Sequence, residues 1–261
     1  MSSRDSSIAK PQGCTLDETT RVEYLQAMGI QPWYSRHESD DLTETHAQVA
    51  EPVVAEVSES AEVLKIEPDL LPGKIDISTC DWPTLEQQVS HCQLCELHQT
   101  RTQTVFDVGN RNADLMLIGE APGEEEDIKG DPFVGSAGHL LDAMMQAIGL
   151  DRQNVYITNV LKCHPPANRK PHTSEIVCCD PYLQQQIKLV QPKLILALGR
   201  VAAHHLLLTQ DKLGSLRQKQ YTYNGIPLYV SYHPAYLLRK PIEKRKSWQD
   251  LLEVRRFLNN N

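Results

Sequence analysis

Two groups of side chains in this 261-residue chain have the types and spacing to do chemistry. The first is a set of thiols. Cys92 and Cys95 form a C-x2-C in "HCQLCELH", and Cys163 and Cys179 form a second, wider pair. A close pair sets two thiolates on one cation or cluster, and two more from a distant loop and helix close a four-thiolate site. Zinc and an iron-sulfur cluster both accept four thiolates, so the spacing leaves the metal open. Cys14 and Cys80 fit no partner spacing, and Cys178 reads as a small buried hydrophobe. The second group is the stretch "GEAPGEEEDIKGDPFVGSAGHLL" (119–141), which places acids, glycines and a lone Phe133 between an apolar run and a helix.

Such groups act only if secondary structure carries them to one place. "DLMLIG" (114–119), "VYITNV" (155–160), "KLILALG" (193–199) and "PLYVSY" (227–232) are short apolar runs, mostly followed by turn residues, and read as strands. Between them "SAGHLLDAMMQAIGL", "TSEIVCCDPYLQQQIKLV" and "RVAAHHLLLT" repeat apolar residues at helical spacing. Alternating strands and helices predict an α/β fold, a parallel sheet with helices on both faces and its chemistry at the C-terminal strand ends. The 119–141 stretch starts at the end of the first strand. "ITNVLKCHPP" includes the end of the second and "SYHPAYLLRKP" follows the last, so the three segments are expected to converge on one edge.

The net charge of -8 hides an asymmetry, because residues 1–79 carry 6 Lys+Arg against 15 Asp+Glu and residues 80–261 carry 20 against 19. The acid therefore belongs to the front. There, residues 20–36 read as a short amphipathic helix and an aromatic turn, too small to bury a core alone. The acidic, aperiodic stretch behind it reads as a disordered linker. The expected organisation is an N-terminal partner-binding segment (1–36), an acidic linker (37–79) and a catalytic domain (80–261). "RKPIEKRKSWQDLLEVRR" (239–256) offers either a positive surface for phosphates or a solvated helix face. No apolar run approaches the roughly 20 residues that span a bilayer, and the polar N-terminus lacks a secretory signal, so a cytoplasmic location is expected.

"TRTQTVFDVGN", the 119–141 stretch, "ITNVLKCHPPANRKP", "ALGRVAA" and "YHPAYLLR" together resemble a family 4 (type A) uracil-DNA glycosylase, over about Trp82 to Phe257. The resemblance implies a four-stranded parallel sheet between helices and a [4Fe-4S] cluster held by Cys92, Cys95, Cys163 and Cys179. It also implies hydrolysis of the N-glycosidic bond of uracil in DNA, by a monomer. A catalytically weak relative that keeps the fold as a DNA-binding or replisome accessory is the alternative.

What the motifs then require is specific. Uracil must leave the stack and enter a close-fitting pocket. Gly119, Gly123 and Gly130 allow backbone to approach it, and Phe133 offers a flat face for stacking. Asn159 can accept from uracil N3–H and donate to O4, a pattern that cytosine reverses. By resemblance Glu120 lies in the water-positioning motif and His233 in the second catalytic motif, where a donor aimed at O2 stabilises the developing anion. Glu126 is expected to obstruct the 5-methyl group of thymine. Ala121 stands where the family-1 branch has a water-activating Asp, a departure that leaves the general base open. Leu237 or Leu238 is expected to fill the gap left by the extruded base, with Arg239 and Lys240 on flanking phosphates. Residues 20–36 also resemble the short peptide of the psi subunit of the bacterial replicative polymerase that docks onto the chi subunit.

Overall fold

The computed structural model describes residues 77–260. Its six strands are β1 (Val108–Gly109), β2 (Leu115–Gly119), β3 (Val155–Asn159), β4 (Leu194–Leu198), β5 (Tyr221–Tyr223) and β6 (Ile226–Ser231), in the order β1-β3-β2-β4-β6-β5. The inner four are parallel and match the four apolar runs of the sequence; β1 and β5 add antiparallel edges. The sheet thus has two strands more than the expected four. Neither addition is legible as an apolar run, since β1 has two residues and β5, "YTY", is only partly buried.

The helices are α1 (Trp82–Ser90), α2 (Glu124–Lys129), α3 (Ser136–Gln146), α4 (Thr173–Val190), α5 (Arg200–Leu207), α6 (Leu213–Leu216), α7 (Pro234–Arg239) and α8 (Lys244–Asn260). Both faces of the inner strands are covered, which is why those strands read as unbroken apolar runs. Leu115 and Leu117 of β2 pack with Leu141, Met144 and Leu251 on one face. Met116 and Ile118 pack with Leu183, Ile187 and Ala203 on the other.

The chain runs from β2 outward to β3, then returns across β2 to β4 and on to β6. The reversal opens a crevice at the C-terminal ends of β2 and β4, where α/β sheets bind their ligands. The readings made for residues 1–36 and 37–76 lie outside the described residues. Ile77 is already buried against Leu85, Val89, Phe106 and Tyr182.

Candidate active site

A cavity of about 960 Å³ opens at this strand edge. Each inner parallel strand delivers a residue to it: β2 leads to Glu120, β3 ends in Asn159, β4 is followed by Gly199 and Arg200, and β6 leads to His233. The convergence expected from the sequence is therefore realised, with a fourth contribution, after β4, that the sequence reading had not assigned to the site.

The wall is packed too tightly for side chains at two glycines. A Cβ on Gly119 would stand 2.3 Å from Asn159 Oδ1 and 2.6 Å from Phe133 Cζ, so backbone forms the floor between them. Gly199, at φ +91°, would bring a Cβ within 2.8 Å of His233 Cβ. Phe133 is buried and stacks on His233 with ring centroids 5.5 Å apart and planes 29° apart. Its φ of +55° is rare for a bulky residue and costs about 1–3 kcal/mol, a strain that persists only where the surroundings over-determine it.

Asn159 is 2 % exposed, and its Oδ1 is buried with no hydrogen-bond partner in the protein. An acceptor left bare in this way costs about 1–3 kcal/mol, which a ligand N–H would recover.

His233 caps α7: its Nδ1 accepts from Ala235 N at 3.2 Å. That bond assigns the ring proton to Nε2. Desolvation, then the Arg239 charge, push its pKa down to about 4, against an opposing pull from Glu126. At neutral pH the ring is therefore an uncharged N–H donor. Glu120 lines the same cavity, and burial raises its pKa above the ordinary carboxylate value while Arg200, Lys170 and Arg239 pull it back. Ala121 lines the cavity from one side and packs against the cysteine cluster from the other.

The structure adds to one expectation and corrects another. Glu126 spends its carboxylate on backbone: Oε2 accepts from Gly123 N at 3.0 Å, and Oε1 from Val134 N at 2.9 Å and Gly135 N at 3.0 Å. It ties the start of α2 to the Phe133 loop and also lines the cavity, so the carboxylate that braces the pocket stands in its wall. Leu237 is 1 % exposed in the core, which leaves Leu238, 41 % exposed, as the apolar side chain at the surface. Arg239 and Lys240 are exposed beside it, and Arg239 lines the cavity. Sequence reasoning missed Lys170, Arg200 and Lys212, which also line it. Lys170 and Arg200 lie inside the quoted "ITNVLKCHPPANRKP" and "ALGRVAA", so a basic residue within a strand-end motif was the available signal.

The thiols gather separately. Cys163 and Cys179 are buried with Leu97 and Leu161, and Cys95 packs against them. Cys92 is close enough to raise the pKa values of Cys95 and Cys163. Burial first, then its thiol neighbours, hold Cys95 up at about 11, against a backbone hydrogen bond from Leu97, so that thiol keeps its proton unless a cation replaces it. Arg101 Nη1 donates to Cys163 Sγ at 3.0 Å, and the buried Tyr182 hydroxyl, without a partner among protein oxygens or nitrogens, lies against Cys92. Cys178 instead donates to Leu94 O at 3.3 Å. Among the described residues no three His, Cys, Asp or Glu side chains converge as a single-ion site.

A sequence profile described as the Uracil DNA glycosylase superfamily matches residues 106–252, a span that holds the whole cavity wall from Glu120 to Arg239. The chain belongs to that superfamily. Among its relatives, the type-4 uracil-DNA glycosylase of Saccharolobus solfataricus is 40 % identical over 185 residues, 67 % of this chain and 86 % of that protein. The type-4 enzyme of Archaeoglobus fulgidus is 42 % identical over 176 residues, 64 % and 88 % of the two chains. That of Thermotoga maritima is 37 % identical over 177 residues, 63 % and 92 %. Superfamily membership accounts for a sheet whose parallel strands all end at one cavity. It does not by itself assign the base that the cavity takes.

Proposed function

We propose that this protein is a uracil-DNA glycosylase that hydrolyses the N-glycosidic bond of uracil in DNA and leaves an abasic site. The observation that carries the reading is the buried, unpartnered Oδ1 of Asn159 at the cavity wall, an acceptor placed for the N3–H of a flipped uracil. Its amide N–H then donates to O4, and a pocket built to hydrogen-bond rejects a base that cannot reciprocate. Phe133 stacks on the base, an interaction worth roughly 1–3 kcal/mol.

As C1'–N1 breaks, the bonding pair stays on the base, and the Nε2–H of neutral His233 stabilises the charge that accumulates at O2. Water, positioned by Glu120, adds to the oxocarbenium-like C1', and the proton it loses neutralises the departing uracil anion through solvent. Lys170, Arg200 and Arg239 meet the DNA phosphates, joined by Lys240 and by Leu238 at the vacated step. An intact Phe133, Asn159 and His233 favour an enzyme over a DNA-binding accessory, which would need none of the three together. The test is a strand-cleavage assay after alkali on oligonucleotides that carry one uracil, thymine or cytosine. Cleavage confined to the uracil strand is expected, and cleavage of none of them refutes the reading.

We further propose that Cys92, Cys95, Cys163 and Cys179 hold a [4Fe-4S] cluster. An all-thiol donor set with an arginine donor and an orphaned tyrosine hydroxyl at its sulfurs fits that group, which would supply a structural cross-link between the 92–95 turn, the loop after β3 and α4. Absorbance near roughly 400 nm with iron and sulfide in equal amounts is the check. In the front segment, residues 20–36 are proposed to dock on the chi subunit, with the acidic stretch as a tether that raises local concentration. Calorimetry of residues 1–40 against chi, with Trp33→Ala as control, tests this. A cytoplasmic monomer is the state that goes with these readings. No helix of the described residues is long and apolar enough to cross a membrane.

A further inference from the structure

Arg152 does not line the cavity, yet its guanidinium is spent on the loop that carries the stacking ring. Nη2 donates to the carbonyl of Phe133 and Nη1 to that of Pro132 at 3.1 Å. Nε donates to Asp142 Oδ1 at 2.7 Å, which fixes the fork from the side of α3. The same helix holds Gly138 against this carbonyl so closely that a Cβ there would lie 1.8 Å from Phe133 O.

Arg152 is itself anchored. Asp151 Oδ1 accepts from Gln153 N at 2.8 Å and Asn154 N at 3.1 Å, and Asn154 Oδ1 accepts from Asp151 N at 3.1 Å. On the cavity side Glu126 takes the N–H of Val134. The single peptide group that joins Phe133 to Val134 is thus gripped at both polar ends, its C=O by Arg152 and its N–H by Glu126. That grip holds a bulky residue at φ +55° and sets the plane of its ring against Gly119 and His233.

We propose that Arg152 is a positioning residue of the glycosylase reaction, acting through the Phe133 carbonyl to hold the stacking ring in register with the base. The Arg152–Asp142 pair is half-buried and holds the guanidinium in the orientation from which it reaches both loop carbonyls, so the geometry it imposes is the better account of this fork. The inference rests on the reading of Phe133 as the stacking residue, and the experiment separates the two.

Arg152→Met, Phe133→Ala and the double variant are compared by kcat and KM on uracil-containing oligonucleotide, by inhibition with free uracil, and by thermal unfolding. Arg152→Met is expected to stay folded, to lose roughly tenfold in kcat/KM and to bind free uracil correspondingly more weakly, within the roughly 5- to 150-fold that loss of a base–aromatic stack costs. Added to Phe133→Ala, it should change either quantity by less than about twofold, because both act through one contact. Multiplying effects, or parent-like uracil inhibition in Arg152→Met, overturn the proposal. Parent-like behaviour of Phe133→Ala overturns the stacking reading itself and the proposal with it. Arg152→Lys keeps a charge and one donor and serves if the methionine variant does not fold. It should recover part of the uracil affinity, and a parent-like value would equally overturn the role, since Lys cannot reproduce the fork.

Discussion

The strand-edge pocket and the cysteine cluster are neighbours built on opposite plans. Asn159 and Cys163 are four residues apart, and Ala121 touches both regions. The pocket takes its residues from the ends of four hydrogen-bonded parallel strands, so the sheet fixes their spacing before any ligand arrives. The cysteines come from a turn, a loop and a helix, and no ladder of backbone hydrogen bonds joins those three. Between the regions lies Lys162, 1 % exposed, whose Nζ donates to Thr158 Oγ1, Asn159 O and Gln186 Oε1. A site on strand ends inherits its order from the fold. One on loops needs its own cross-link.

That contrast predicts losses of different kinds. The largest is expected for His233→Ala, which should lower kcat about 10²- to 10³-fold, the usual cost of one donor to a developing anion, while KM hardly moves and the lost α7 cap lowers stability by only about 0.5–2 kcal/mol. Equal loss of binding and rate would count against the donor role. If the proposed cluster is present, Cys163→Ala should do the reverse, removing its colour together with about 2–5 kcal/mol, as loss of a covalent cross-link does. Scanning calorimetry would then show Tm lower by roughly 4 to 20 °C. A variant as stable as the parent but weak on DNA would shift the thiol site from bracing to DNA contact.

Asn159→Asp should sharpen the pocket side, because a carboxylate cannot donate to O4 but can accept from the cytosine amino group. A loss of about 1–3 kcal/mol of discrimination, measured as the uracil-to-cytosine ratio of kcat/KM, is expected. The pH profile gives a subtler signature. Ionised Glu120 is present above its raised pKa and lost as pH falls through it, so the acid limb should be displaced upward from the ordinary carboxylate value and vanish in Glu120→Gln. His233, already neutral above about 4, should add no break at the usual histidine value, and a break there that disappears in His233→Asn would refute the neutral ring. The smallest effect is predicted for Cys178→Ala, close to silent in colour, Tm and rate. Loss of the cluster would make it, and not Cys179, the ligand.

The inner strands and the helices between them were legible because burial on both faces leaves an uninterrupted apolar signature; the places of Asn159 and His233 followed because each sits near where such a run stops, while their expected roles came from the family resemblance. β1 and β5 were not, since an edge strand needs only a partner's backbone and leaves little trace in side-chain type. The bracing by Glu126 was not legible for a related reason: an acid beside a glycine-rich turn looks alike in sequence whether or not it also holds three backbone amides.

By itself the sequence determined the periodicities, hence the alternating α/β order, and the local residue sets at the strand ends, because both are short-range patterns. Tertiary structure alone decided which carboxylate is spent on bracing, which leucine is core, that Asn159 keeps a bare acceptor and that Arg152 reaches the Phe133 carbonyl from 19 residues away. Those outcomes depend on which polar groups meet across distant segments once water is excluded, and no window of sequence contains that information.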